Sequence, residues 1–180
     1  MRFFRRSEQR AAPPEAAALF VCLGNICRSP TAEAVFRAVV ARAGLDGRVA
    51  AASAGIGGYH VGEAPDRRAI QAAKRRGYDM TALRARQFDV VDFNRYGWIL
   101  AMDAANLEAL DALRPLAFTG HLGLLLDFAP QLGVREVPDP YYGAPEGFER
   151  VLDLVEPAAA ALLDTIVATL DARRGDRPDQ

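Results

Sequence analysis

Residues 19–33 read LFVCLGNICRSPTAE, and no other stretch constrains the fold of this chain so tightly. The short apolar run Leu19–Cys22 has strand character. Gly24 and Asn25 tolerate left-handed backbone angles, so the chain can curl and aim successive N–H groups at one point. Ser29 is placed to cap a helix and Pro30 to open it, which sets a positive helix end under the loop. Strand, curled loop and helix start together make a cradle for an anion, phosphate above all.

The loop has the form C-x5-R. Arg28 stands at its rim, where a planar guanidinium can hold two oxygens of a bound phosphate. Cys22 lies at its floor, in a field that favours the thiolate, the form that attacks phosphorus in line. A cysteine that ends an apolar strand is by itself most often a small buried hydrophobe. The agreement of strand, Gly-Asn turn, Ser cap and Pro start argues for chemistry instead.

Beyond the loop, strand and helix alternate. Pro30–Gly44 has apolar residues at helical spacing, Val49–Ser53 is a small-residue strand, and a glycine-rich loop leads to a helix over 66–76 closed by Gly77. WILAMD from Trp98 is a buried strand meeting a helix that Asp103 can cap, and HLGLLLDF fits either strand or helix. An amphipathic helix runs from about Glu146 to Leu170, with Pro157 expected to kink or split it. With no repeats and no internal linker, the pattern predicts a three-layer α/β sandwich around a mainly parallel sheet. Ligands in such sheets bind beyond the carboxyl ends of the strands.

Composition narrows the class. The 180 residues, 51% hydrophobic and 25% charged, suit a globular domain over 18–172, flanked by an Arg-rich, Pro-interrupted extension over 1–17 and a solvated tail over 173–180. A net charge of −1 gives no reason to expect nucleic acid as partner, and the longest apolar runs fall short of the roughly 20 residues that span a bilayer. Two cysteines, Cys22 and Cys27, five positions apart, cannot staple a domain of this size, so the cytoplasm is the expected compartment. His60 is expected to be solvated and His121 structural, neither having a partner that suggests a metal.

Attack by Cys22 on a phosphate ester expels an oxygen that needs a proton. Asp139 in VPDPYYG is the candidate donor, its backbone restricted by Pro138 and Pro140.

VCLGNICRSP resembles the signature of the low-molecular-weight protein tyrosine phosphatases. The likeness continues through TAEAVFR, SAG, ARQ, ILAMD..NL and DPYYG, from Leu19 to about Leu170. It implies a four-stranded parallel sheet, a cysteinyl-phosphate intermediate and no metal or cofactor, with Cys22 as nucleophile, Arg28 as clamp and Asp139 as general acid and then base. Leu23, Gly24, Asn25, Ile26, Cys27 and Ser29 would bind phosphate, Asn25 holding the left-handed turn and Ser29 stabilising the thiolate, with Ser53 in support. Tyr141 and Tyr142 would wall an aromatic slot, and Tyr59 would stand on the opposite rim. Cys27 would serve as a reversible disulfide partner of the nucleophile. Asp103 matches the family's MD. Many relatives carry a histidine shortly before ARQ, where this chain has Ala82 and Leu83, which leaves the outer polar network open. The implied substrate is a phosphotyrosine protein, a bacterial tyrosine kinase among them, and the implied state a monomer with at most weak dimerisation.

Three alternatives share the loop. Thiol-cascade arsenate reductases need further downstream cysteines, which this chain lacks. Protein arginine phosphatases typically have threonine at the position of Ile26. A non-catalytic phosphate-binding module would have no need of a distant acid.

Overall fold

A computed structural model describes residues 12–175. The expected extension therefore lies outside the described residues as far as Ala11, and the expected tail from Asp176 on.

Four parallel strands, β1 (Ala16–Cys22), β2 (Val49–Gly55), β3 (Trp98–Ala101) and β4 (His121–Leu124), form one sheet in the order β2-β1-β3-β4. The strand expected at Leu19 begins at Ala16 because Ala16–Ala18 pair in register with Val49–Ala51. Backbone pairing here overrides the weak strand preference of alanine. Helices α1 (Arg28–Arg42), α2 (Arg67–Arg75), α3 (Asp92–Arg95), α4 (Ala104–Leu113) and α5 (Glu146–Gly175) complete the described fold.

The period of two along each strand divides the core. Ala18, Phe20, Cys22, Leu100 and Met102 face a layer built from α1, α2 and α5. Leu19, Val21, Ile99 and Ala101 face the opposite way, against Phe93 of α3 and Leu110 of α4. These are the three layers the sequence predicts.

HLGLLLDF resolves into strand followed by a 3₁₀ turn, Leu125–Phe128. Pro157 neither ends nor splits α5, which runs unbroken through it. The carbonyl it leaves without an N–H donor is that of Asp153, on the exposed side of the helix where water can take its place. The His121 ring lies tilted on Trp98 and edge to face with Phe128, with ring centroids 5.3 Å from each, and burial lowers its pKa.

The sheet order creates a switch point. From β1 the chain crosses by α1 to β2 on one side, and from β3 by α4 to β4 on the other. The loops that follow β1 and β3 therefore part at the carboxyl end of the sheet and leave a crevice between them.

Candidate active site

Residues 23–27 curl beneath that crevice, and their hydrogen bonds explain why. The carbonyls of Cys22 and Leu23 accept from the N–H groups of Ile56 (2.9 Å) and Gly57 (2.8 Å), just past β2. The carbonyl of Ile26 accepts from Asp66 N–H (2.8 Å), and that of Cys27 from the Thr31 hydroxyl (2.7 Å). Each carbonyl drawn outward turns the N–H of the same planar peptide inward. Asn25, with φ of 56°, is the only non-glycine residue at positive φ among the described residues, and its N–H points to Cys22 Sγ at 3.3 Å. The cradle expected from Gly24 and Asn25 is thus held open by contacts far along the chain.

Below the floor runs a directed chain of hydrogen bonds. Arg86 N–H donates to Asn25 Oδ1 (2.9 Å), which fixes the amide so that Nδ2 donates to Ser29 Oγ and Ser53 Oγ, both at 2.9 Å. The Ser53 hydroxyl donates in turn to Glu33 Oε2 at 2.6 Å. Ser29 Oγ lies 3.0 Å from Cys22 Sγ, and the Ala54 carbonyl stands as an acceptor for its hydroxyl at 3.3 Å. Glu33 is buried; desolvation raises its pKa against the opposing pull of Ser53 and Arg37, whose guanidinium stands 2.6 Å away.

Two expectations change here. Ser29 does not cap α1: the helix begins two residues earlier than expected, at Arg28 behind Cys27, and the Ser29 hydroxyl is committed to Cys22, Asn25 and Ala54. Of Ala82 and Leu83, which stand where a histidine is expected, Ala82 is exposed and Leu83 packs against the core, and the network closes without an imidazole through Arg86 N–H and Glu33.

Arg28 is buried and spans the switch point. Its Nη1 donates to Asp103 Oδ2 (2.5 Å) and the Val137 carbonyl (3.1 Å), and its Nη2 to Asp139 Oδ2 (3.0 Å). Burial opposes its charge, but Cys22, Asp103 and Asp139 more than offset this and raise its pKa. Among the described residues Nε has no protein partner, so an Nε/Nη2 fork remains for an oxyanion. Asp103 caps α4 through Oδ1, which accepts from Asn106 N–H (2.7 Å), and anchors Arg28 through Oδ2, so helix cap and clamp anchor are one residue.

The cleft above holds about 310 Å³ and is lined by Cys22, Leu23, Gly24, Ile26, Cys27, Arg28, Tyr59, His60, Asp139, Tyr141 and Tyr142. Asn25, Ser29 and Ser53 sit beneath the floor and do not line it. Asp139 Oδ1 accepts from Tyr141 N–H at 3.1 Å. Tyr141 and Tyr142 meet edge to face at 4.9 Å, Tyr142 almost fully exposed, and Tyr59 stands exposed across from them. Burial pushes the Cys27 thiol up to about 12, with Asp66, Cys22 and Asp139 adding to it. His60, expected in solvent, stands on the cleft wall: its Nδ1 meets Glu63 at 2.8 Å and its ring lies where a side chain on Gly24 would go. A larger groove of about 740 Å³ opens at the amino ends of β1, β3 and β4 and holds none of the predicted residues.

Glu33, Gly55, Arg68 and the Val137 carbonyl are site features that the sequence did not single out. Glu33 and Gly55 fall inside quoted motifs, but nothing in their spacing shows that one accepts from the Ser53 hydroxyl and the other backs the loop. The Val137 carbonyl carries no sequence signal at all.

An α/β domain with a cysteine at the floor of an anion cradle, an arginine at its rim and an aspartate facing both defines a phosphatase-like class. The model of the family described as "Low molecular weight phosphotyrosine protein phosphatase" matches residues 17–173. A relative from Synechocystis is 47% identical over 149 residues, covering 82% of this chain and 94% of its own. The Bacillus subtilis low molecular weight protein-tyrosine-phosphatase YfkJ is 42% identical over 148 residues, covering 82% of this chain and 94% of its own. The crystal structure of a protein tyrosine phosphatase from Entamoeba histolytica superposes with a TM-score of 0.82 at 37% identity, over 86% of this chain and 98% of that one. The chain belongs to the low molecular weight phosphotyrosine protein phosphatase family, and so to a family of hydrolases.

Proposed function

We propose that this enzyme hydrolyses phosphotyrosine monoesters in proteins, with Cys22 as nucleophile, Arg28 as phosphate clamp and Asp139 as general acid and base. The observation that carries this reading is that Cys22, Arg28 and Asp139, more than a hundred residues apart at the extremes, line one cleft, with Arg28 donating to Asp139. Phosphate settles on the inward N–H groups, and the Nε/Nη2 fork of Arg28 takes two of its oxygens. Cys22 Sγ forms the S–P bond as the P–O bond to the aryl group breaks, and protonated Asp139 gives its proton to the departing oxygen. Asp139, now ionised, takes a proton from the water that attacks the cysteinyl-phosphate, and inorganic phosphate leaves with the thiolate restored. Ser29 Oγ, 3.0 Å from Cys22 Sγ, supports the sulfur charge each time it forms.

Substrate shape supports tyrosine. Ile26 puts an apolar wall where a guanidinium would want a polar one, and Tyr59, Tyr141 and Tyr142 give faces for an aromatic ring. The arsenate-reducing reading finds no cysteine beyond Cys22 and Cys27 to resolve an adduct. Autophosphorylated bacterial tyrosine kinases are the substrates we favour among phosphotyrosine proteins.

The test is hydrolysis of an aryl phosphate by wild type, Cys22→Ser and Asp139→Asn. Wild type is expected to turn over, Cys22→Ser to be inactive, and Asp139→Asn to lose roughly 10²–10⁴-fold. Retained activity in Cys22→Ser removes the covalent mechanism, and preference for phosphoarginine over phosphotyrosine peptides replaces the substrate.

A further inference from the structure

A general acid carried on a loop is only as well placed as the backbone beneath it. The 138–142 segment has no helix or strand of its own. What holds it from below is Arg68, in the first turn of α2, a residue that does not line the cleft.

The Arg68 guanidinium makes a fork on Asp66, Nε to Oδ1 at 3.0 Å and Nη2 to Oδ2 at 2.7 Å. The same Nη2 donates to the Tyr141 carbonyl at 3.0 Å. Its plane is backed by aromatic rings, with the guanidinium carbon 4.7 Å from the Phe148 centroid and 5.6 Å from that of Tyr141. Asp66 is anchored in turn: it caps α2 by accepting from Arg68 N–H (2.8 Å), and its own N–H donates to the Ile26 carbonyl (2.8 Å). The hydrogen bonds from Arg68 lower the Asp66 pKa, so the pair stays charged at neutral pH.

One guanidinium therefore connects the phosphate loop, the start of α2, the acid loop and α5. Tyr141 is gripped on both sides, its N–H by Asp139 Oδ1 (3.1 Å) and its carbonyl by Arg68. We propose that Arg68 is a positioning residue for the general acid: it fixes the acid loop against the phosphate loop through the Tyr141 carbonyl, so that Asp139 meets the leaving oxygen. The inference rests on the reading of Asp139 as that acid. A side chain that serves only as part of the α2 cap would instead affect all substrates alike.

The discriminating measurement is log(kcat/KM) against leaving-group pKa, for aryl phosphates from phenyl to 2,4-dinitrophenyl. A dinitrophenolate leaves without a proton, whereas phenolate needs one. Wild type is expected to give a shallow slope and Asp139→Asn a steep one. Arg68→Ala should fall between them, losing about tenfold with phenyl phosphate and less than about twofold with the dinitrophenyl ester, a fraction of what a whole acid contributes. Inhibition by inorganic phosphate should stay within about twofold, because the cradle is intact. In the Asp139→Asn background, Arg68→Ala should cost less than about twofold more, since both changes act on one step.

Arg68→Lys keeps the charge and α2 but cannot span Asp66 and Tyr141 at once, so it should steepen the slope to a smaller degree. It carries the test if Arg68→Ala does not fold. A parallel drop across the series, or full additivity on Asp139→Asn, overturns the role of Arg68 alone. A wild-type slope equal to that of Asp139→Asn overturns the acid assignment itself.

Discussion

Gly55 is the last residue of β2 and pairs in register with Cys22, so it backs directly onto the phosphate loop. A Cβ at this position would stand 2.9 Å from the Leu23 oxygen and 3.0 Å from both the Gly24 carbonyl carbon and the Gly57 oxygen. Ordinary contact begins near 3.4 Å, so Gly55→Ala is short of room by about 0.4–0.5 Å against three backbone atoms. None of them is the end of a flexible side chain, and the Leu23 oxygen is already tied to Gly57 N–H. The strain of such overpacking is about 1–3 kcal/mol, and at this chain length each kcal/mol lowers Tm by roughly 2–4 °C. Relief comes by moving the Leu23–Gly24 peptide toward the cleft. If a misplacement of 1 Å costs about 10²-fold, half of that should cost roughly tenfold in kcat/KM, and phosphate inhibition should weaken with it. The assay is aryl phosphate hydrolysis with phosphate as competitor, beside a thermal melt. Gly47→Ala, with nothing within 4 Å of the new Cβ, is the control and should change neither. A Gly55→Ala enzyme with the wild-type kcat/KM, phosphate inhibition and Tm would refute the claim that β2 holds the cradle in place.

Glu33→Ala leaves the Ser53 hydroxyl without its acceptor and should cost about 1–3 kcal/mol in urea unfolding together with a lower kcat, whereas Glu33→Gln keeps an acceptor and should retain most of both. Equal loss in the two variants would show that the charge of Glu33, not its place at the end of the hydrogen-bond chain, is what matters. Burial above all pushes the Cys27 thiol up to about 12, and a Cys22→Ser protein keeps that burial, so its Cys27 should resist iodoacetamide until denatured. In wild type, peroxide should convert Cys22 to a sulfenic acid that Cys27 closes to a disulfide with loss of water, and dithiothreitol should restore activity; a Cys27→Ser enzyme that recovers as fully would rule this out.

Much of this molecule was legible along the chain because its signals are local. The alternation of periods that marks strand and helix, the Gly-Asn turn and the Asp103 cap each depend on neighbouring residues, and each is where the sequence places it. Cys22 and Arg28 lie within one loop, so their partnership needs no knowledge of the rest of the fold. The ends of elements were less legible: Ala16–Ala18 joined β1 because a partner strand was in register, and Pro157 stayed inside α5 because the bond it breaks faces water. What the tertiary structure alone decided is how distant backbone groups finish the site. Ile56, Gly57 and Asp66 draw the loop carbonyls outward, Arg86 N–H sets the Asn25 amide, and the Val137 carbonyl shares Arg28 with Asp103. Main-chain donors and acceptors are the same at every residue, so no sequence pattern announces them. Ser29 shows the consequence: its sequence neighbours make it a helix cap, and its spatial neighbours, Cys22 and Asn25, claim its hydroxyl for the nucleophile.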